Sequence, residues 1–357
     1  MSGRFVNLVV KKLSSIRPVF NLHRIDPAGL FHPAGSPKLA DAAAAAAVHK
    51  CPDSGRLPPA AISFPLNKAE WMRIYFMALN KDVVIAVDHM GRTVAYDAAL
   101  GTVRSMNATQ RPDWSPISIT VGNGLYTLSI HHRPPPIGNS FQVLSYGRPL
   151  GYCWPEDWNW RPLQPPPLEY HKYVHNYLEA PHHPCAIRAW AVLRDSQIWI
   201  STEGAGTYSF DTQTGTWSNA GDWSMPFRGH AEYAPEHGLW FALSDGDARL
   251  CAVSVADLEL TPTVCRNLWV DDTPVPEGWI PTVSRILPLG SAKFCLVRLS
   301  QKDQRGKTVQ QLWRSKVETC VVLAGLEVLK HDDAAALHMV KHKSKTYRFR
   351  GDEVELL

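Results

Sequence analysis

The sequence predicts an all-β protein, folded as a single β-propeller of about six blades over residues 1–357. Three observations support this prediction. Short apolar strands alternate with glycine turns along most of the chain, and an aromatic-Asp pair before a tight turn occurs twice, at Tyr96-Asp97 and Phe210-Asp211. The 28 prolines and 23 glycines suit many short strands joined by turns. Units repeated in this way are typical of a propeller, in which each unit forms one blade.

The clearest unit extends from Ile198 to Phe227. A short apolar strand, Ile198–Ile200, leads to a turn at Gly204–Gly206. A second strand ends at Tyr208–Asp211, and a polar turn then leads to Trp217. Strand, glycine turn, aromatic-Asp, tight turn and tryptophan in this order indicate a kelch-like blade, although the usual Gly-Gly doublet is absent.

The remaining strands are predicted from apolar or alternating runs bounded by turn residues. In chain order they are Arg4–Val10, Val19–Ile25, Val83–Val87, Thr93–Asp97, Ile117–Val121, Leu125–Ile130, Phe141–Tyr146, Trp158–Leu163, Ala231–Tyr233, Leu239–Leu243, Leu250–Val255, Thr263–Trp269, Val283–Leu287, Lys293–Leu299, Thr319–Leu323, Glu327–Lys330, Leu337–Val340, Thr346–Phe349 and Glu353–Leu357.

The two ends of the chain are predicted to meet. The strand Arg4–Val10 has no blade of its own, and a propeller commonly closes by pairing its first strand with its last blade, which removes free sheet edges. We therefore expect Arg4–Val10 to pair with residues near Thr346–Leu357. Before that segment, Leu337–Val340 and Thr346–Phe349 are predicted to form a hairpin over a basic turn at Lys341–Lys345.

Two segments are predicted to be insertions. Residues 33–59 hold Asp41 followed by six alanines and several prolines, which predicts a flexible insertion that folding does not need. Residues 165–186 form a helical, His-rich insertion. In it, Leu168–Glu179 has apolar residues at helical spacing after the prolines Pro165–Pro167.

The His-rich insertion holds the candidate metal ligands. These are His171, His175, His182, His183 and Cys185. Zinc takes nitrogen and sulfur ligands of this kind in a tetrahedron. However, Lys172 occupies the position after the first histidine where a metalloprotease carries its glutamate base. A solvated loop with incidental histidines is the preferred interpretation, so neither a metal nor another cofactor is predicted.

Other functional classes find little support. No GxSxG or phosphate-loop motif is present, and a net charge of +4 does not indicate a polyanion partner. The basic run Lys341–Lys345 is short and lacks aromatic residues, so a solvated turn is preferred over nucleic-acid binding. Trp217 and Trp223 are predicted to be buried between blades rather than to form a recognition platform.

The pattern of cysteines indicates in which cellular compartment the protein is located. They are odd in number, scattered and without a CxxC pair: Cys51, Cys153, Cys185, Cys251, Cys265, Cys295 and Cys320. Reduced, buried thiols in a cytoplasmic or nuclear protein are predicted. The basic, acid-free start of the chain leaves a mitochondrial transit peptide as the alternative, although its two predicted strands argue against one. No apolar run is long enough to span a membrane.

Several segments together resemble a plant family, expanded in grasses, that is known as domain of unknown function 1668. The segments are Arg4–Val10, His23–Asp26, Thr207–Asp211, Ala220–Trp223 with Pro226-Phe227, Ala231–Tyr233 with Gly238–Phe241, and Met339–Lys345. They extend over almost the whole chain. The resemblance implies a kelch-like propeller and no established activity.

These observations predict a non-enzymatic, monomeric protein-interaction module that presents loops to a protein partner. The alternative is an enzyme or small-ligand binder that uses the central channel of the propeller. Clustered acidic, basic or His side chains with shifted pKa values at the channel would favour the alternative, whereas a channel filled by apolar side chains would exclude it.

Overall fold

The computed structural model describes residues 4–12, 18–32, 55–65, 74–109, 116–129, 141–148, 155–168, 184–245, 249–254, 266–269, 278–303, 317–330 and 337–357. Within these ranges the chain forms twenty-four strands and one 3-10 helical turn, Pro27–Leu30. The prediction of an all-β protein is confirmed. Residues 33–54 of the first predicted insertion, and all but Leu168 of the predicted helix Leu168–Glu179, lie outside the described ranges.

The strands form antiparallel groups of four, and five of the six groups are consecutive in the chain. Sheet I contains β1 (Val6–Lys12), β2 (Val19–Ile25), β3 (Ile62–Pro65) and the last strand, β24 (Glu353–Leu356). Sheet II contains β4 (Ile74–Ala78), β5 (Val83–Asp88), β6 (Thr93–Asp97) and β7 (Thr102–Met106). Sheet III contains β8 (Pro116–Val121), β9 (Gly124–Ser129), β10 (Phe141–Gly147) and β11 (Asp157–Pro162).

The second half of the chain repeats this arrangement. Sheet IV contains β12 (Ile187–Leu193), β13 (Gln197–Thr202), β14 (Thr207–Asp211) and β15 (Thr216–Gly221). Sheet V contains β16 (Phe227–Ala234), β17 (Leu239–Ser244), β18 (Leu250–Val253) and β19 (Arg266–Trp269). Sheet VI contains β20 (Trp279–Gly290), β21 (Lys293–Lys302), β22 (Glu318–Lys330) and β23 (Leu337–Arg350). Sheets IV and V join into one eight-stranded sheet, because β12 and β16 pair in parallel.

Six apolar clusters hold the sheets together, and each lies between two of them. Five clusters join sheets that follow one another in the chain, and the sixth joins sheet VI to sheet I. Aromatic rings meet across three of these interfaces, at Phe20 with Phe76 (5.6 Å), Phe141 with Phe210 (4.8 Å) and Phe241 with Phe294 (4.9 Å). Each sheet is therefore covered on its two faces by its two neighbours.

The repeated aromatic-Asp pair has a structural explanation. Tyr96 and Phe210 are buried in the clusters between neighbouring sheets. The following aspartate begins a tight turn: Asp97 Oδ1 accepts hydrogen bonds from the backbone N–H groups two and three residues further on, at 2.9 and 3.0 Å, and Asp211 Oδ1 does the same at 2.7 and 3.3 Å. One residue of the pair thus contributes to the core, and the other caps the turn.

The first and last strands of the chain pair with each other, as predicted. Strand β1 lies between β2 and β24, and in the antiparallel register Leu8 faces Leu356 and Lys11 faces Glu353. The Lys11 Nζ lies 2.8 Å from Glu353 Oε2. The expectation that the N-terminal strand lacks a sheet of its own is wrong, because β1, β2, β3 and β24 complete a four-stranded sheet.

The predicted hairpin near the C-terminus is also wrong. Lys341–Lys345 lies inside β23, which continues from Leu337 to Arg350 and pairs with β22 on both sides of a bulge at His342 and Lys343. The run contains no Gly, Pro, Asn or Asp, the residues that most readily form tight turns. On both sides of it, Met339 and Tyr347 are buried, so the strand is fixed to the core before and after the basic residues.

Trp217 and Trp223 are partly exposed, which corrects the prediction that both are buried. Trp217 lies on β15, the outer strand of sheet IV. Its ring packs 5.1 Å from that of Phe210, while its Nε1 donates to the Gln164 carbonyl oxygen at 2.8 Å. A side chain on an outer strand has fewer neighbours to enclose it, so it packs on one side only.

The described end of the first insertion, residues 55–59, contacts the sheets. The Gly55 N–H donates to the Thr346 carbonyl oxygen of β23 at 2.8 Å, and His23 Nδ1 donates to the Pro58 carbonyl oxygen at 2.8 Å. The Lys345 side chain lies against Gly55, at the position that a Cβ would occupy. A shortened variant of the insertion therefore needs to retain residues 55–59.

Four of the seven cysteines are described, and all four are buried free thiols, as predicted: Cys185, Cys251, Cys295 and Cys320. Burial raises the pKa of the Cys185 thiol to about 11 and that of Cys295 to about 12. Protonated, enclosed thiols are poor nucleophiles, so these two act as small apolar core residues.

Candidate functional site

Strand β16 changes its pairing partner midway. Between Arg228 and Glu232, four residue steps on β16 face only two on β17, so the strand bulges. The bulged residues Gly229–Ala231 pair instead with Ala189–Ala191 of β12, and Gly229 takes a positive φ of 73°. Bulges redirect side chains and occur often beside functional sites. Here the bulge lies between two groups of charged residues.

The first group, the Arg–carboxylate cluster, consists of Arg188, Glu203, Arg228 and Asp245. Arg228 donates from Nε to Asp245 Oδ1 at 2.6 Å and from Nη1 to Glu203 Oε1 at 2.9 Å. Arg188 donates from Nη2 to Asp245 Oδ2 at 2.5 Å, and its Nη1 lies 4.0 Å from Glu203 Oε2. The two arginines belong to β12 and β16, the paired first strands of sheets IV and V. The two carboxylates lie between them in the turns that follow β13 and β17.

Two members of this cluster, Asp245 and Arg228, have pKa values that are shifted away from neutrality. Burial alone would raise the pKa of Asp245, but the hydrogen bonds and charges of Arg228 and Arg188 outweigh it and lower that pKa. Burial alone would lower the pKa of Arg228, whereas its bonds to Asp245 and Glu203 raise it. Asp245 and Arg228 are consequently both charged at neutral pH.

The Asp245 shift predicts a loss of stability in acid. A carboxyl group whose pKa is lower in the folded than in the unfolded chain stabilises the fold at pH values above its unfolded pKa of about 3.9. This contribution disappears as the pH falls through the pKa of the folded state. Asp245→Asn should therefore lower the free energy of unfolding at neutral pH, by less than about 1 kcal/mol because the pair is partly exposed. It should also flatten the pH dependence below about pH 4.

Urea unfolding of wild type, Asp245→Asn and the exposed control Asp222→Asn, followed across this pH range, measures the effect. An Asp245→Asn curve that parallels the wild type at every pH would show that the ion pairs contribute nothing.

The second group, the central cluster, consists of Arg4, His230, Glu232 and Arg285. His230 Nδ1 lies 3.0 Å from Glu232 Oε1, and the His230 ring stacks on Trp190 at 6.1 Å. Burial alone would raise the pKa of Glu232, but the charge and hydrogen bond of His230, followed by the charges of Arg4 and Arg285, lower it.

Three sheets supply this cluster: His230 and Glu232 belong to sheet V and Arg285 to sheet VI, while Arg4 precedes the β1 strand of sheet I. A fourth sheet packs against it, because Trp190 of sheet IV stacks on His230.

Arg285 differs from the other arginines of the two clusters. Its side chain is exposed on β20, and desolvation by the surrounding protein lowers the pKa of its guanidinium, while the charge of Glu232 opposes this shift. Among the described residues, no carboxylate lies within 4.0 Å of its guanidinium, although Glu232 is close enough to act through its charge. His230 Nε2 is buried and has no hydrogen-bond partner among the described residues.

The residues that the sequence analysis named as candidate metal ligands, without predicting a metal, fall mostly outside the described ranges. This applies to His171, His175, His182 and His183. Cys185 is described and is packed in the core between sheets III and IV. Within the described ranges, no group of three His, Cys, Asp or Glu side chains is placed to hold a metal ion.

Sequence reasoning did not identify the two charged clusters. The one local signal is the alternation of Arg228, His230 and Glu232 with small or apolar residues on β16. Their partners lie far away in the chain, in other sheets, and no spacing rule connects them.

In the described part of the chain, no helix is long and apolar enough to cross a membrane. No curated protein sequence matches the chain.

The solved structures that resemble the chain are distant. A structural genomics protein of unknown function from Bacteroides thetaiotaomicron is 10% identical with a TM-score of 0.38; the match covers 64% of this chain and 54% of that one, or about half its length. Hsv2 of Kluyveromyces lactis is 8% identical with a TM-score of 0.36 and covers 94% of this chain and 85% of its own. The computationally designed Ika4 protein is 12% identical with a TM-score of 0.29, at 52% and 94% coverage. At these scores the likenesses carry no argument about function.

The sequence match to a family is far more extensive. The model of a protein family of unknown function, DUF1668, matches residues 3–347, which is nearly the whole chain. The chain therefore belongs to the DUF1668 family.

Proposed function

We propose that the protein is a non-enzymatic interaction module, built as a kelch-like propeller of six blades, that binds a protein partner where the first strands of its sheets converge. Six four-stranded groups packed in chain order, with the last against the first, support this architecture. So do the contacts between first strands of neighbouring sheets, such as β4 with β8, β12 with β16, and β16 with β20. The pairing of β1 with β24 would then close the ring.

The direction of the carboxyl pKa shifts is the main observation that favours a binding function over a catalytic one. A general acid or base works best with a pKa near the operating pH, and enzymes raise carboxyl pKa values to reach it. Every carboxyl group with a resolved shift in the described ranges moves the other way, namely Glu232, Glu236 and Asp245. Permanently charged, mutually paired groups suit electrostatic recognition of a partner.

The alternative, an enzyme or small-ligand binder at the central channel, draws on the same clusters. It was expected to show clustered charged groups with shifted pKa values, and such groups are present. The downward direction of the carboxyl shifts speaks against acid–base catalysis, but it leaves small-ligand binding as the second candidate. We further propose a cytoplasmic or nuclear location, which the four free thiols support.

A pair of matched arginine variants tests the proposal. Arg228 and Arg104 are both exposed and both form an ion pair, Arg228 in the Arg–carboxylate cluster and Arg104 with Asp157 at 2.6 Å between the outer strands β7 and β11. The tagged full chain, as wild type, Arg228→Gln and Arg104→Gln, is used to capture partners from the native tissue, with quantitation by mass spectrometry. We expect wild type and Arg104→Gln to capture the same proteins in the same amounts. Arg228→Gln should capture at least about fivefold less of each, because the interface loses one anchoring side chain.

The melting temperatures of the three proteins provide the control for folding. The proposal is wrong if no protein is captured reproducibly, or if Arg228→Gln captures the same proteins as wild type.

A further inference from the structure

Strand β23, at the outer edge of sheet VI, is strongly basic. It carries three lysines, two arginines and no acidic residue, the basic residues being Lys341, Lys343, Lys345, Arg348 and Arg350. Four of the five side chains are exposed, and that of Lys341 is half-buried. Among the described strands, β23 has β22 as its one neighbour in the sheet. The five cations therefore line an edge of the sheet rather than its interior.

The acidic residues of the neighbouring strand β22 form ion pairs with other partners. Glu318 Oε2 lies 3.5 Å from Lys302 Nζ, and Glu327 Oε2 lies 3.0 Å from His342 Nε2. Within the described ranges, no carboxylate lies within 4.0 Å of three exposed cations of β23, which are Lys343, Lys345 and Arg350. The edge therefore keeps a net positive charge.

The same edge accepts a backbone hydrogen bond. Lysines on an outer strand often serve only to prevent pairing with another chain. Here, however, the Gly55 N–H donates to the Thr346 carbonyl oxygen at 2.8 Å. The backbone groups of alternate residues in a strand point to the same edge, so those of Ser344 and Arg350 are directed outward like those of Thr346. The lysines of β23 thus leave its edge open to an extended chain.

We propose that the outer edge of β23 docks an extended segment of a partner protein that carries acidic residues at alternate positions. Arg348 and Arg350 lie two positions apart, on one face of the strand and about 7 Å from each other along it. Acidic residues at alternate positions of an extended segment have the same spacing. A single-stranded nucleic acid fits less well, because its bases stack on exposed aromatic rings, and the aromatic residues of β23, Tyr347 and Phe349, are buried.

This surface is separate from the interaction site proposed above. The earlier site lies where the first strands of the sheets converge, whereas β23 is the outermost strand of sheet VI. Binding at either place can therefore be present or absent without the other.

Fluorescence anisotropy with a matched pair of labelled peptides tests the inference on the full chain. One peptide repeats Thr-Glu four times, and the other repeats Thr-Gln, which has the same shape without the charges. We expect wild type to bind the acidic peptide, more weakly as the salt concentration rises, and not to bind the neutral one. Equal binding of the two peptides, or no binding of the acidic one, would overturn the proposal.

Variants of the chain locate the binding. Lys343→Gln with Lys345→Gln should weaken binding of the acidic peptide by about 2- to 30-fold, the effect of losing two exposed ion pairs. The control, Lys81→Gln with Arg148→Gln, removes the same charge from other sheets and should bind like wild type. Lys343→Arg with Lys345→Arg should also retain binding, and the melting temperatures report on folding. Wild-type affinity in the first variant, or an equal loss in the control, would contradict docking on β23.

Two further probes test the kind of partner. A Pro-Glu repeat keeps the charges but lacks half of the backbone N–H donors, so it should bind more weakly than the Thr-Glu repeat. Equal affinity would mean that the peptide does not pair with the edge. An oligothymidylate of equal charge should bind more weakly than the acidic peptide, and tighter binding would assign the edge to nucleic acid instead.

Discussion

Phe210→Ala is expected to lower the free energy of unfolding by about 3–5 kcal/mol, the usual cost of removing a fully buried aromatic side chain. Phe210 is 1% exposed and lies in the cluster between sheets III and IV. Its ring contacts Phe141 at 4.8 Å from the neighbouring sheet and Trp217 at 5.1 Å from its own. The substitution leaves a cavity at an interface between sheets, where neither sheet can move inward without disturbing its other neighbour.

Trp217→Ala is the matched comparison. The two rings touch, but Trp217 is only partly buried, so its replacement should cost clearly less than that of Phe210. Denaturant unfolding of the two variants and wild type measures the difference. Equal costs, or a larger one for Trp217, would mean that the core between these sheets is not where the structure places it.

Removal of the last six residues, Asp352–Leu357, is expected to destabilise the chain by on the order of 4 kcal/mol, from lost strand hydrogen bonds and lost apolar burial. Val354 and Leu356 pack against the cluster between sheets VI and I. Without β24, β1 exposes its backbone edge along Leu8–Lys11. An open edge beside apolar residues invites pairing with other chains, so the truncated protein should also aggregate.

Two comparisons make this prediction specific. Glu353→Gln removes only the surface ion pair with Lys11 and should cost less than about 1 kcal/mol. A synthetic peptide of residues 351–357, added to the truncated chain, should restore part of the lost stability by replacing β24. A truncated chain that melts like the full-length protein would show that the two ends do not depend on each other.

The local features of the fold could be predicted from the sequence. The strands of sheet IV follow from their apolar runs, and the Phe210-Asp211 pair marks a buried ring followed by a capped turn. Contact between the two ends of the chain follows from the general need of sheets to avoid free edges. In each case the signal lies within a few residues or in a rule about edges.

The predictions that were wrong concern residues whose structure depends on partners far away in the chain. Lys341–Lys345 looks like a turn because it is polar, but β22 provides a continuous partner strand, and buried Met339 and Tyr347 hold β23 on both sides of the run. Trp217 looks like a core residue because it is large and apolar, but its place on an outer strand leaves it partly uncovered. Sequence pattern gives neither the position of a strand within its sheet nor the length of its partner.

The charged clusters could not be predicted for the same reason. Arg4 and Glu232 are more than two hundred positions apart in the chain, and Arg285 comes from a third sheet. What brings them together is the packing of the sheets and the bulge of β16, which no local pattern of charges reveals. Arg228, His230 and Glu232 at alternate positions were visible in the sequence, but without their partners they resemble an ordinary solvated strand.

The central claim is that a protein partner binds where the first strands of the sheets converge. Hydrogen–deuterium exchange of the captured complex against the free chain tests it most directly. The account predicts slower exchange on binding in the Arg–carboxylate and central clusters, at Glu203 and its turn, Arg228–Glu232 and Ser284–Ile286. Protection confined to the outer strands, Thr102–Met106 and Asp157–Pro162, with the clusters unchanged, would contradict it.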